Sequence, residues 1–211
     1  MRPRAEQPSI LFSTIAMLIV LIAGPSALWI RTDGARAFTA EEARRLAIAR
    51  SPRTPPTVLL EASDRTLFTL AELRGRTVIV DFMYANCATL CVALGSAFAR
   101  LQEMLDAAQR DDVRLLSIGF DPEHDTPAEL AAYGRRHNAD ARRWTIAHVV
   151  DREDLKPLLS AFGVVALADG YGGFTHNAAL HVIDAQGRLV RILDADDVTG
   201  IMRLLKAGTA R

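Results

Sequence analysis

Apolar positions along this chain fall into two regimes. From Ile10 to Ile30 there is no charged residue, whereas from Thr57 onward short apolar runs alternate with amphipathic stretches. The short runs Val58–Leu60, Thr77–Phe82, Val113–Phe120, Thr145–Val150, Ala178–Ile183 and Leu189–Leu193 are rich in β-branched residues and predict strands. Helical periodicity falls near 89–108, 126–137, 152–162 and 197–207; in the first of these, Leu94, Phe98, Leu101 and Leu105 recur at spacings of four and three. Thr126-Pro127 places proline just after a capping threonine. Asp184-Ala185-Gln186-Gly187 reads as a hairpin turn between the last two strands. Strands alternating with crossover helices predict an α/β domain with a largely parallel sheet covered on both faces. With its closing antiparallel hairpin and final helix, this is the thioredoxin-like arrangement.

The charge-free run spans 21 residues, which as a helix would reach roughly 30 Å, the thickness of a bilayer's hydrocarbon core. Arg2 and Arg4 precede it and favour a cytoplasmic N-terminus for residues 1–9, with residues 10–30 as a transmembrane anchor. Gly24-Pro25 interrupts the run, and its strongest part, Ile10 to Ala23, also suits a signal peptide with Ala35-Arg36-Ala37 as a cleavage site. Either outcome exports the remainder of the chain, and the uncleaved anchor is favoured. Residues 31–56 read as a tether: Thr39-Ala40-Glu41-Glu42 resembles a capping box opening a short helix to about Arg50, and Ser51-Pro52-Arg53-Thr54-Pro55-Pro56 stops it. Residues 57–211 form the folded body.

Net charge is zero and no basic stripe is interleaved with aromatics, which argues against a nucleic-acid partner. The chemistry is concentrated in two cysteines, Cys87 and Cys91, the only ones in the sequence. They follow the apolar run 77–82 and precede the helical pattern, so they sit at a strand-to-helix turn. Residues i and i+4 share a helix face with a rise of about 6 Å. Helix N-terminal amides favour thiolate over thiol there. Two sulfurs so placed can close a disulfide or hold a soft metal such as Cu(I). The plainer reading, two small buried hydrophobes, fits poorly with both lying at the start of one helix.

His176 follows the loop Ala168 to Thr175, which holds Gly170, Gly172 and Gly173, and precedes an apolar strand. Taken alone it reads as a solvated histidine. Beside two thiolates it becomes the best-placed third ligand, a donor set that suits Cu(I) or Cu(II) and could hold Zn(II) in part. His181 alternates within a strand and is read as packed or at the surface; His124, His137 and His148 are read as structural or solvated. Asp121-Pro122-Glu123-His124-Asp125-Thr126-Pro127 reads as a turn and helix cap, with Asp125 or Thr126 at the cap. A carboxylate in it could also orient a metal ligand or dock a partner.

The run Val80 to Cys91 with its C-x3-C, then Asp121 to Pro127, then His176 before a strand, resembles the Sco/SenC copper chaperones over roughly residues 57–205. The resemblance implies a thioredoxin-like fold, a bacterial inner-membrane anchor with the C-terminal domain in the periplasm, and copper on Cys87, Cys91 and His176. It implies as partner cytochrome c oxidase subunit II, whose binuclear copper site is loaded or reduced, or another copper protein, together with a periplasmic thiol reductant or copper donor. The chain departs from the family where proline usually follows each cysteine: Ala88 and Val92 stand there, and Thr175 and Asn177 flank the histidine. The competing function is a membrane-anchored thiol-disulfide oxidoreductase using Cys87 and Cys91 as redox thiols without metal. Such enzymes normally carry C-x-x-C.

Overall fold

The computed structural model describes residues 10–85, 90–170 and 173–208, and separates into two units, 1–46 and 47–211. In the first unit a single helix, α1 (Ile10–Arg31), passes through Gly24-Pro25 without a break. From Phe12 to Arg31 it is long and apolar enough to cross a membrane. The second helix, α2 (Ala40–Arg50), opens on the capping box: Thr39 Oγ1 accepts from Glu42 N–H at 3.1 Å, and Glu42 Oε2 accepts from Thr39 N–H at 3.0 Å. Its far end belongs to the second unit, where Ile48 is buried in the core.

The second unit carries β1 (Leu59–Ala62), β2 (Leu67–Thr69), a 3-10 turn over Leu70–Leu73, β3 (Thr77–Met83), α3 (Leu90–Ala107), β4 (Val113–Gly119), α4 (Pro127–Arg136), β5 (Trp144–Val149), α5 (Arg152–Phe162), β6 (Ala166–Ala168), β7 (Phe174–His176), β8 (Ala179–Ile183), β9 (Leu189–Asp194) and α6 (Val198–Lys206). Seven strands form one sheet in the order β2-β1-β5-β4-β3-β8-β9, and β6-β7 form a separate hairpin. The expectation of a largely parallel sheet is corrected: β3, β4 and β5 are parallel, while β1, β2, β8 and β9 join antiparallel. Helices α3 and α4 supply crossovers that return the chain in the same direction. After α5 the chain instead makes the β6-β7 hairpin and re-enters beside β3 running the other way. The apolar pattern does not predict that hairpin or β2, since three-residue strands hold too few positions to display a period of two.

Aromatic packing sorts the helices onto the two faces of the sheet. On one face Trp144 meets Phe98 of α3 at 5.4 Å between ring centroids and Tyr133 of α4 at 6.4 Å. On the other, Phe162 of α5 meets Phe82 at 5.0 Å, and fully buried His181 sits edge-on to both. Each such buried aromatic contributes about 1.5–3 kcal/mol through the area it withdraws from water. Because β3, β4 and β5 run parallel, their carboxyl ends come out together, and that is where open α/β sheets bind ligands.

Candidate functional site

Beyond Met83 the chain leaves the sheet ladder. The last ladder bond there runs from Phe120 N–H to Met83 O at 3.0 Å, and Tyr84 and Ala85 continue toward the cysteines. Cys87 lies outside the described residues, as does the side chain of Cys91. The backbone at Cys91 lies in the first turn of α3, where the helix N-terminus favours anions.

His176 ends β7 and is buried, with 8 % of its surface exposed. Its ring packs edge-on against Phe120 at 5.0 Å and Tyr84 at 6.4 Å, so the hairpin folds down onto the segment entering the cysteine turn. Desolvation by these rings lowers the pKa of His176, which keeps the imidazole neutral and available as a nitrogen donor. The hairpin is held at both ends. At its tip Asp169 Oδ1 accepts from Gly173 N–H at 2.9 Å. At its base Asn177 Oδ1 accepts from Val165 N–H at 2.7 Å and Asn177 Nδ2 donates to Gly163 O at 3.0 Å. Asn177 thus ties His176 to the loop after α5, where Gly163 adopts a left-handed φ of 67°.

In the segment 121–127, the cap belongs to Thr126, whose Oγ1 accepts from Glu129 N–H at 3.3 Å. Asp125 does something different. It is buried, and its Oδ1 accepts from Ala85 N–H at 2.7 Å while Oδ2 accepts from Asp121 N–H at 2.8 Å. Burial pushes its carboxyl up to about 6, against the pull of those two N–H groups. The approach requires Gly119, where a Cβ would stand 2.6 Å from Asp125 Oδ2. Exposed His124 pairs with Asp121 at 2.7 Å, and that hydrogen bond raises the pKa of His124. Arg136, in the last turn of α4, donates from Nη2 to Ala85 O at 2.9 Å.

Sequence reasoning passes over a further acid. Asp81, in the middle of β3, is fully buried on the α3 face beside Ser117. Burial pushes its carboxyl up to about 7, with the neighbouring Ser117 hydroxyl pulling the other way. Neither carboxylate oxygen has a hydrogen-bond partner among the described residues, and Ser117 Oγ instead accepts from Trp144 Nε1–H at 2.9 Å. The signal is present, since Asp81 is the one charge in the apolar run 77–82. The remaining histidines behave as read: His181 is core, His148 meets Glu61 at 3.1 Å, and His137 caps α4 against Gly95.

Among the described residues no three His, Cys, Asp or Glu side chains group at metal-binding spacing. His176 is therefore the single described member of the expected donor set. Its surroundings suit a metal ligand, because the imidazole is neutral, oriented by packing and shielded from competing water.

Residues 56–204 match the SCO1/SenC family. A Bacillus subtilis (strain 168) SCO1 protein homolog is 24 % identical over 124 residues, 58 % of this chain and 64 % of the relative, so the chain spans less than two thirds of that relative's length. Among solved structures, a SCO1/SenC family lipoprotein from Bacillus anthracis str. Ames superimposes with a TM-score of 0.69 at 24 % identity, covering 75 % of this chain and 97 % of that one. Arabidopsis thaliana ScoI with copper bound gives 0.64 at 18 % identity, covering 73 % and 99 %. At these identities the structures establish the shared thioredoxin-like fold. The family match extends over more than half of the sequence and includes β3, the cysteine turn, the 121–127 segment and His176, so this chain belongs to the SCO1/SenC family.

Proposed function

We propose that this chain is a membrane-anchored copper chaperone that binds copper through Cys87, Cys91 and His176. It would deliver copper to, or reduce, the binuclear copper site of cytochrome c oxidase subunit II. The observation that carries this reading is His176: a buried, neutral imidazole lodged against Tyr84, three residues before Cys87. Two thiolates and one imidazole are a donor set for copper in either oxidation state. The copper bound by the Arabidopsis relative and the oxidase role implied by the family resemblance support the cargo and the client. The apolar helix α1 supports an inner-membrane anchor with the folded unit in the periplasm, an oxidising compartment where reactive thiols need a metal or a reductant.

A second reading, a thiol-disulfide oxidoreductase acting without metal, is favoured by Asp81. Reducing a disulfide to two thiols takes up two electrons and two protons, and a buried carboxyl titrating near 7 on the α3 face can exchange one at neutral pH. Copper titration of the full-length reduced protein in detergent separates the two. Stoichiometric Cu(I) retention against a competing chelator supports the chaperone; no retention, with turnover of a disulfide substrate, supports the enzyme.

A further inference from the structure

Ala85 is the last described residue before the cysteine turn, and it lies past the end of the β3 ladder. Its peptide groups therefore have no strand to pair with. Both are taken by side chains of one distant segment: Asp125 accepts from its N–H at 2.7 Å, and Arg136 donates to its C=O at 2.9 Å. The two are rigidly related, because Asp125 precedes α4 and Arg136 ends it. Asp125 is further fixed by Asp121 N–H and by its seat over Gly119. Arg136 is exposed, with Tyr133 under its guanidinium at 5.8 Å. Ala85 is itself buried, so both of its peptide groups need partners, and Arg136 serves its carbonyl at a cost of up to about 2 kcal/mol of side-chain entropy. The same two contacts hold the chain that leads into the two cysteines in one place relative to α4.

We infer that Asp125 and Arg136 are positioning residues, a two-point clamp on Ala85 that pre-sets the cysteine turn for closing on copper or into a disulfide. The inference rests on the thiol-based reading of Cys87 and Cys91. A clamped turn loses less freedom when its sulfurs are joined, by a metal or to each other, than a loose one does. Releasing the clamp should therefore weaken copper binding and shift the dithiol–disulfide equilibrium toward the dithiol. Loss of the arginine's charge alone acts in the opposite sense on that equilibrium, because a nearby cation favours thiolate over disulfide. The direction of the shift thus separates positioning from charge.

The test uses the full-length protein in detergent, with Arg136→Ala, Arg136→Lys and Asp125→Asn. Cu(I) affinity is measured by chelator competition, the dithiol–disulfide equilibrium against a dithiothreitol buffer, and the thermal midpoint of the metal-free protein as a control. Arg136→Ala should lower copper affinity about tenfold, as loss of a contact that orients a ligand does, and should move the equilibrium several-fold toward the dithiol, with the midpoint lowered by the unpartnered Ala85 carbonyl. Arg136→Lys, which keeps a donor, should recover part of both. Asp125→Asn keeps one acceptor oxygen and should shift both in the same direction as Arg136→Ala. Parent-like values for Arg136→Ala in both measurements, or an equilibrium shifted toward the disulfide, would overturn the clamp. A parent that fails to bind copper would sink the chaperone reading alone, since the dithiol equilibrium still reports on the clamp.

Discussion

Asp125, in the loop after β4, and Asp81, in β3, are both buried carboxyls, yet their surroundings treat them in opposite ways. At the sheet's end Asp125 accepts from two backbone N–H groups and joins the entrance of the cysteine turn to the segment after β4. In the middle of β3, Asp81 is fully buried beside Ser117, and neither of its oxygens meets a hydrogen bond of good geometry among the described residues. Burial raises both pKa values, to about 6 where two backbone N–H groups oppose it and to about 7 where the opposing pull comes from the Ser117 hydroxyl and the residue's own backbone. The contrast teaches that burial alone does not give a charged group its role. Asp125 is a strut whose removal leaves donors stranded. Asp81 is a liability to stability that can hold or release a proton near neutral pH.

The contrast breaks most visibly by truncation. Asp125→Ala leaves the N–H groups of Ala85 and Asp121 without acceptors, and each stranded buried donor costs about 1–3 kcal/mol. Urea unfolding at pH 7 should show a loss of about 3 kcal/mol; a loss below about 1 would mean water replaces the strut.

Asp81 should respond with the opposite sign. Its folded-state pKa is raised to about 7 from 3.8, so the folded protein keeps a proton that the unfolded chain has released. The contribution of Asp81 to stability then falls as pH rises from about 4 to about 7 and stays flat above, by up to about 4 kcal/mol at 1.36 kcal/mol per unit. Asp81→Leu should remove that contribution, matching the parent near pH 4 and gaining up to about 4 kcal/mol at pH 8, while the fall from about pH 4 to 6 that Asp125 contributes remains. A parent-like fall between about pH 6 and 7 in Asp81→Leu would assign that fall to another group.

Smaller changes sharpen the picture. Gly119→Ala forces a methyl against Asp125 and should cost about 1–3 kcal/mol, with Asp125 displaced from Ala85. Thr126→Ala removes only the α4 cap and should cost about 1 kcal/mol without touching Ala85. Equal effects of these two on cysteine chemistry would mean the segment acts as a whole and not through Asp125.

Periodicity locates the long elements well, because β3, β4 and the major helices bury continuous stripes that leave a signature in sequence. The His176 hairpin reads as a loop, since β6 and β7 take their stability from Asn177, Asp169 and the rings of Tyr84 and Phe120 instead of from a pattern of their own. Asp125 is legible as a polar residue in a turn but not as a partner of Ala85, because contacts 40 residues apart are set by topology. Arg136 gives no signal at all: in sequence it is one more arginine at a helix end. Asp81 is visible yet easily misjudged, because a lone charge in an apolar run reads as part of the strand.

Whether His176 completes a copper site with Cys87 and Cys91 is tested by copper binding to the full-length protein carrying His176→Ala. His124→Ala, an exposed histidine on the neighbouring loop, is the control; His181 would serve poorly, since its ring fills the core between Phe82 and Phe162. His176→Ala should lose the Cu(II) thiolate charge-transfer band and weaken Cu(I) retention at least about tenfold, while thiol oxidation continues and His124→Ala matches the parent. A parent-like band and affinity in His176→Ala would contradict the account and remove the β6-β7 hairpin from the site.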